Sequence, residues 1–170
     1  SREKYALFHG NFNISENEFS ALYLINNIFK ELDYPLIIAG KNPGRKIKRL
    51  VKLNYNVSLK DNIKGEELND LIANASIHIL PAFQSSGLKL KLIHVLGSSG
   101  HIITNSKMIT DNKLPKFCNI AESPEEMKKM IIEKAEKPLK KNEIIKRQTM
   151  LEKNYSNERN AEILINRIFN

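Results

Sequence analysis

Leu32-Asp33-Tyr34-Pro35-Leu36-Ile37-Ile38-Ala39-Gly40-Lys41-Asn42-Pro43-Gly44, residues 32–44, is the stretch that decides the fold. Pro35 has no backbone N–H to give a helix, so it stops whatever helix precedes it and starts an extended segment. Leu36 to Ala39 is then a continuous apolar run closed by Gly40, the mark of a strand buried on both faces. Such strands belong to parallel sheets covered by helices.

The same grammar extends in both directions. Upstream, the apolar run Tyr5 to His9 ends in Gly10-Asn11-Phe12-Asn13, a strand followed by a loop. Ser15-Glu16-Asn17-Glu18 reads as a capping box, with Ser15 and Glu18 as its reciprocal partners. Phe19, Leu22, Tyr23, Ile25, Ile28, Phe29 and Leu32 follow at the spacing of an apolar helix face. Downstream come a basic helix near 44–53, a strand around Val57 to Leu59, and a helix over 65–74 with Leu68, Leu71 and Ile72 inward. Ile77 to Leu80 is strand-like and ended by Pro81. A helix from Lys89 to Leu96, a strand from His101 to Thr104 and a last short strand from Phe117 to Ile120 complete the alternation. Strand and helix alternating every ~20 to 30 residues predict an open, mostly parallel, doubly wound α/β sheet of about six strands, with helices on both faces and right-handed crossovers.

From Ser123 the pattern is helical only. Ser-Pro-Glu-Glu opens a helix, Pro138 breaks it, and further helical stretches run to Phe169. The expected organisation is a Rossmann-like core over 1–122 with the helices of 123–170 packed on the same domain. A chain of 170 residues with 41% apolar content suits one globular unit. No apolar run approaches the ~20 residues that span a bilayer. The amino terminus leads into a strand rather than a signal peptide. The single cysteine, Cys118, excludes an internal disulfide and a thiolate metal cluster and fits a reducing compartment. Cytoplasm is the expected location, with peripheral contact at the inner face of a membrane as an extension of it.

The formal charge of +8 makes polyanions plausible partners. Lys41, Arg45, Lys46, Lys48, Arg49 and Lys52 crowd one segment, and many other lysines fall between Lys128 and Lys153. Solvated helix faces account for most such runs. Nucleic acid is an unlikely partner, because the basic 41–52 segment lacks interleaved aromatics for stacking bases.

Ligands of open parallel sheets bind at the carboxyl ends of strands. The loops to inspect are therefore 9–13, 40–44, 84–89 and Asn105-Ser106. Gln84-Ser85-Ser86-Gly87-Leu88-Lys89 combines small residues, hydroxyls and a lysine just before a helix, where free N–H groups and the helix dipole suit a phosphate. A tight turn capping a helix explains the same residues. His9, His78 and His101 read as strand-end or partly buried residues without metal spacing, and Cys118 as a small core residue. Glu66 and Glu67 suit the start of a helix dipole. No metal and no cofactor is expected, and there is no catalytic triad.

Phe-His-Gly-Asn (8–11), Leu-Ile-Ile-Ala-Gly-Lys-Asn-Pro (36–43), Glu-Glu-Leu-Asn-Asp-Leu-Ile-Ala-Asn-Ala-Ser-Ile-His-Ile-Leu-Pro-Ala-Phe (66–83) and Gly-Leu-Lys-Leu-Lys-Leu-Ile-His-Val-Leu (87–96) together, in this order and spacing, resemble the carboxy-terminal domain of the retaining GT-B-fold glycosyltransferases of group 1. The resemblance runs from about Tyr5 to Ala121. It implies a domain that binds a nucleotide diphosphate sugar, with a separate amino-terminal domain, absent from this chain, holding a glycan or lipid-linked acceptor. By the same resemblance, Gly10 and Asn11 lie next to the donor diphosphate, and Ser85, Ser86 and Gly87 lie in the loop facing sugar and phosphates. His94 stands at the ribose position as a ribose or phosphate contact, or is a histidine lodged in a helix against polar neighbours; apart from the resemblance, Lys41, Lys89 or Lys91 could supply positive charge from a different direction. Lys89 and Lys91 are two residues apart, so one of them, Lys89, is expected to point at the ligand.

The sequence also departs from that family. Its two glutamates, seven residues apart, are here Ser86 and His94; its loop arginine is Asn11; and Glu16, Asn17 and Glu18 stand where a lysine is expected. Three functions follow as alternatives: the donor-binding domain of a glycosyltransferase, inactive alone and with catalytic residues unassigned; a non-catalytic binding or scaffolding domain of the same fold; or a basic nucleic-acid-binding domain. In the first, the loops at Gly10 to Asn13, Gly40 to Asn42 and Ser85 to Lys89 should converge on one cleft.

Overall fold

A computed structural model gives the architecture, and the structure describes residues 4–84 and 89–155. Six parallel strands form one sheet: β1 (Ala6–Asn11), β2 (Leu36–Lys41), β3 (Val57–Asp61), β4 (Ile77–Leu80), β5 (His101–Thr104) and β6 (Asn119–Ile120), in the order β3-β2-β1-β4-β5-β6. The helices between and after them are α1 (Ser15–Leu24), α2 (Arg45–Leu53), α3 (Gly65–Asn74), α4 (Leu90–Leu96), α5 (Pro124–Ala135) and α6 (Lys141–Tyr155). Helix α1 packs on α2 and α5 on the segment that continues α1, while α4 packs on α6. With right-handed crossovers these two sets cover opposite faces of the sheet. The doubly wound α/β class read from the alternation is the class observed.

The centre of the sheet is dry. All four residues of β4 and all four of β5 are buried, as are Leu36, Ile38 and Ala39 of β2. Fully burying an Ile or Leu side chain contributes about 1.5–3 kcal/mol. These short runs therefore hold the layers together although each pairs over few residues. Helix α5 begins with a formed capping box, Ser123 Oγ accepting from the Glu126 N–H at 3.2 Å, and buries Met127 and Ile131.

The chain turns sharply where β1 and β2 end. Gly40 has a φ of +149°, and a Cβ there would lie 1.8 Å from the Gly10 carbonyl oxygen, so only glycine permits this approach. Asn42 follows at a φ of 56°, a left-handed conformation that asparagine tolerates, with its N–H donated to Asn62 Oδ1 at 3.1 Å.

Three local expectations are corrected. The capping box at Ser15 and Glu18 does not form: Ile14 is the N-cap, without a side-chain bond, and Asn17 and Glu18 donate their N–H groups to its carbonyl. The polar side chains of this first turn bond across the end of the sheet instead. Phe19, expected on the buried face, is 54% exposed. Helix α1 overshoots the carboxyl ends of the strands, so Phe19 has Phe83 to pack against, ring centroids 4.6 Å apart, rather than sheet. Beyond Leu24 the helix widens into a π turn, Ile25–Phe29, with the Lys30 N–H donated to Ile25 O at 3.0 Å. The last strand is also shorter than the expected Phe117 to Ile120. Pro115–Phe117 is a 3-10 turn whose bonds from Phe117 N–H to Leu114 O and from Cys118 N–H to Pro115 O consume donors that a strand would need.

Candidate functional site

The order of the sheet reverses between β1 and β4, the two strands that diverge to opposite sides of the molecule. A crevice at the carboxyl ends of such a pair is the general ligand position of open α/β sheets. Here it is bounded by residues 10–13 after β1, 40–42 after β2 and 81–84 after β4.

Short bonds stitch these loops together. Phe12 donates its N–H to Lys41 O at 2.9 Å, and Asn42 Nδ2 approaches Asn11 Oδ1 at 3.3 Å. Asn17, from the first turn of α1, lies over Gly10 so closely that a Cβ on that glycine would meet it at 2.9 Å. Its Nδ2 donates to Asn11 O at 2.8 Å, and its Oδ1 accepts from Lys91 Nζ at 2.6 Å. Lys91 also sits 4.5 Å from the centre of the Phe8 ring. Burial pulls its pKa down to about 8, against a partial upward pull from Glu16. The ammonium is thus poorly hydrated and held by one amide oxygen and one ring face.

Glu16 occupies the other half of the crevice. Its Oε1 accepts from the backbone N–H groups of Gln84 at 3.2 Å and Phe83 at 3.3 Å, and from Lys89 Nζ at 3.3 Å. Partial burial pushes the carboxyl pKa up, but the Gln84 N–H, the Lys89 charge and the Phe83 N–H together outweigh it and hold the pKa below its ordinary value. Lys89 donates a second bond to Gln84 O at 2.7 Å, and its side chain is 9% exposed. Two N–H groups and an ammonium directed at one oxygen form an anion cradle, and in this structure a carboxylate of the chain itself occupies it.

The predicted residues fall as follows. Gly10 and Asn11 end β1, and Lys41 is exposed at the end of β2 beside them. Lys89 reaches the same crevice through Glu16. Ser85, Ser86 and Gly87 lie outside the described residues. His94 is exposed on α4, with Nε2 3.2 Å from Asn69 Oδ1 and its ring edge-on to His9 at 5.8 Å. The loops at 10–13 and 40–42 meet, Lys89 bonds Glu16 on the first turn of α1, and the rest of the expected third loop, 85–88, lies outside the described residues. The reasoning that separated Lys89 from Lys91 fails, because Lys89 is the N-cap, at φ −86° and ψ 59°, and lies off the helical spacing. Both lysines therefore point at the first turn of α1.

Sequence reasoning missed Glu16 and Asn17 as members of this cluster, set Lys91 aside in favour of Lys89, and read His9 as a strand-end or partly buried residue rather than a ligand. His9 is 5% exposed, and its Nδ1 has no hydrogen-bond partner among the described residues. Burial, then the charges of Lys91 and His94, lower its pKa to about 3, so it is neutral near pH 7. A buried, neutral imidazole with an unused nitrogen can still accept or donate one bond. The other two histidines are engaged: His78 Nε2 lies 2.7 Å from Ser98 Oγ, and His101 Nε2 2.6 Å from Lys137 O. Burial raises the Cys118 pKa to about 11, so this thiol is not a nucleophile.

No protein-family model matches the sequence, and no curated protein matches it. Solved structures do. AviGT4, a glycosyltransferase involved in avilamycin A biosynthesis, superposes with a TM-score of 0.59 at 13% identity, over 89% of this chain and 46% of that one. TarM superposes at 0.68 and 15% identity, over 98% of this chain and 35% of TarM. A point variant of S. aureus TarM, in complex with fondaparinux, alpha-GlcNAc-glycerol and UDP, gives 0.65 at 17% identity, over 96% and 35%. At such identities the likeness is one of fold: the chain is built like one domain of GT-B glycosyltransferases and spans from about a third to about half of their length.

Proposed function

We propose that this chain is the nucleotide-sugar-binding domain of a glycosyltransferase, moving a sugar from a nucleotide diphosphate to a glycan or lipid-linked acceptor held by a separate amino-terminal domain. The observation that supports this reading is the bonding of the loops at 10–13 and 40–42 at the switch point of a glycosyltransferase-like sheet, with an anion cradle of Phe83, Gln84 and Lys89 beside them, around Glu16 on the first turn of α1. In the transfer, the bond from the sugar's anomeric carbon to the diphosphate oxygen breaks, a bond to an acceptor oxygen forms, and the acceptor proton leaves to a base. Charge grows on the leaving diphosphate, so the domain must offer oriented donors there. The Phe83 and Gln84 N–H groups and Lys89 are suited to that task, with Gly10 and Asn11 keeping the β1 side of the crevice low and polar. Transfer with retention, a cytoplasmic setting and peripheral membrane contact complete the proposal.

A second reading, a non-catalytic domain of the same fold, is favoured by one observation: Glu16 and Asn17 already occupy Lys89 and Lys91. Both readings are separated by calorimetric titration with UDP and GDP. The donor-domain reading expects weak binding, with a Kd on the order of 0.1 to 1 mM, or about 4 to 5.5 kcal/mol. Lys89→Ala should lower this by roughly 1–2 kcal/mol through loss of one charge-assisted bond. Equal affinity in the variant would remove Lys89 from the site, and silence toward both nucleotides at millimolar concentration would leave the non-catalytic reading.

A further inference from the structure

A second concave surface lies at the opposite end of the sheet. A groove of about 1120 Å³ runs between α6 and the amino ends of β5 and β6, closed at one end by the α5–α6 connection. Seven lysines, one arginine and a single glutamate line it, so nearly all of the formal +8 of the whole chain is concentrated there. The glutamate is engaged, since Glu143 Oε2 accepts the Lys140 N–H at 3.2 Å.

Some of the lysines outside the groove are matched by carboxylates. Lys4, Lys48, Lys89 and Lys128 each have a carboxylate within 3.3 Å. In the groove, Lys134, Lys137, Lys140 and Lys146 have none within salt-bridge reach among the described residues. Like charges facing one concavity repel more strongly than on a convex surface, because the low-dielectric walls focus the field. The walls are also fixed. Arg147, 3% exposed, donates to Gly100 O at 2.7 Å and Phe117 O at 2.8 Å, tying α6 to the sheet. His101 Nε2, 2.6 Å from Lys137 O, holds the connection between α5 and α6.

We propose that this groove binds a linear, non-nucleic polymer bearing repeated phosphate groups, recognised by charge. One phosphate could satisfy only two or three of these ammonium groups, so a ligand with spaced anions fits the lining better than a mononucleotide. A flat bilayer would meet the rim and leave the interior lysines unmatched. Stacked bases find little platform among the described residues of the lining, since Phe117 lies under Lys116 at 5.1 Å and the His101 ring is held by Lys137 O.

The test uses long-chain inorganic polyphosphate as the probe, with oligothymidylate and phosphatidylglycerol vesicles as parallel arms and fluorescence anisotropy or co-sedimentation as the readout. Polyphosphate should bind the wild-type chain with an affinity that falls steeply with salt. Lys137→Glu and Lys146→Glu should each weaken it about tenfold and reduce the slope of log affinity against log salt by about 1. Lys46→Glu on α2, outside the groove, is the control, and thermal melting confirms that each variant folds. The proposal is overturned if polyphosphate does not bind, if Lys46→Glu weakens binding as much as the groove variants, if oligothymidylate binds more tightly than polyphosphate, or if only the vesicles bind. None of these outcomes depends on the nucleotide site, which lies at the other end of the strands.

Discussion

Glu16 is the residue on which the crevice turns. Its carboxylate takes the two N–H groups and the ammonium that an incoming phosphate would need, so binding of a diphosphate must displace it, and its negative charge opposes the approach. Replacing the charge while keeping the shape isolates this effect. Glu16→Gln should tighten UDP binding five- to tenfold, about 1–1.4 kcal/mol, in a calorimetric titration at moderate salt. Unchanged or weaker binding would mean that Glu16 organises the crevice rather than blocking it. The sequence placed Gly10, Asn11 and Lys41 in this region, because glycine and asparagine after a buried strand announce a loop. It could not show that Glu16 and Lys89, 73 residues apart, face each other. No local spacing encodes that contact; the parallel pairing of β1 with β4 does.

At the scale of elements, α6 is fastened by buried Met150 and by Arg147. The guanidinium is buried with no carboxylate in salt-bridge reach among the described residues, and burial lowers its pKa against a partial upward pull from Cys118 and Glu143, while its bonds go to the carbonyl oxygens of Gly100 and Phe117. Arg147→Ala should therefore destabilise the fold by about 2–4 kcal/mol in urea unfolding, through the loss of these two bonds and a cavity. A change below about 0.5 kcal/mol, the size of an ordinary surface substitution, would refute this role. Elements with strong one-dimensional signals were legible: the apolar runs of β2 and β4, the Ser-Pro-Glu-Glu start of α5 and the stop at Pro138 all stand where the sequence places them. Elsewhere tertiary context overrode local pattern. The capping box expected at Ser15 and Glu18 does not form, because the N-cap is Ile14 and Ser15 already lies within the helix, and the π turn at 25–29 has no residue signature. Likewise, the strand expected from Phe117 lost two residues to the turn that Pro115 starts.

At the scale of the molecule, the two ends of the sheet differ in kind. The carboxyl end gathers glycines, amides, exposed Lys41 and two lysines matched by acceptors, whereas the groove at the amino end is lined by seven lysines, of which Lys134, Lys137, Lys140 and Lys146 have no carboxylate in salt-bridge reach among the described residues. The proposed function puts a nucleotide diphosphate at the first end, the carboxyl ends of the strands, where open α/β sheets bind ligands. The central claim is thus positional, and amide NMR of the nitrogen-labelled chain tests it directly on addition of UDP at about 1 mM, the upper end of the expected Kd range. The account predicts shifts at Gly10, Asn11, Phe83, Gln84 and Lys89, with residues 134–147 undisturbed. Shifts confined to 134–147, or none anywhere, would contradict it.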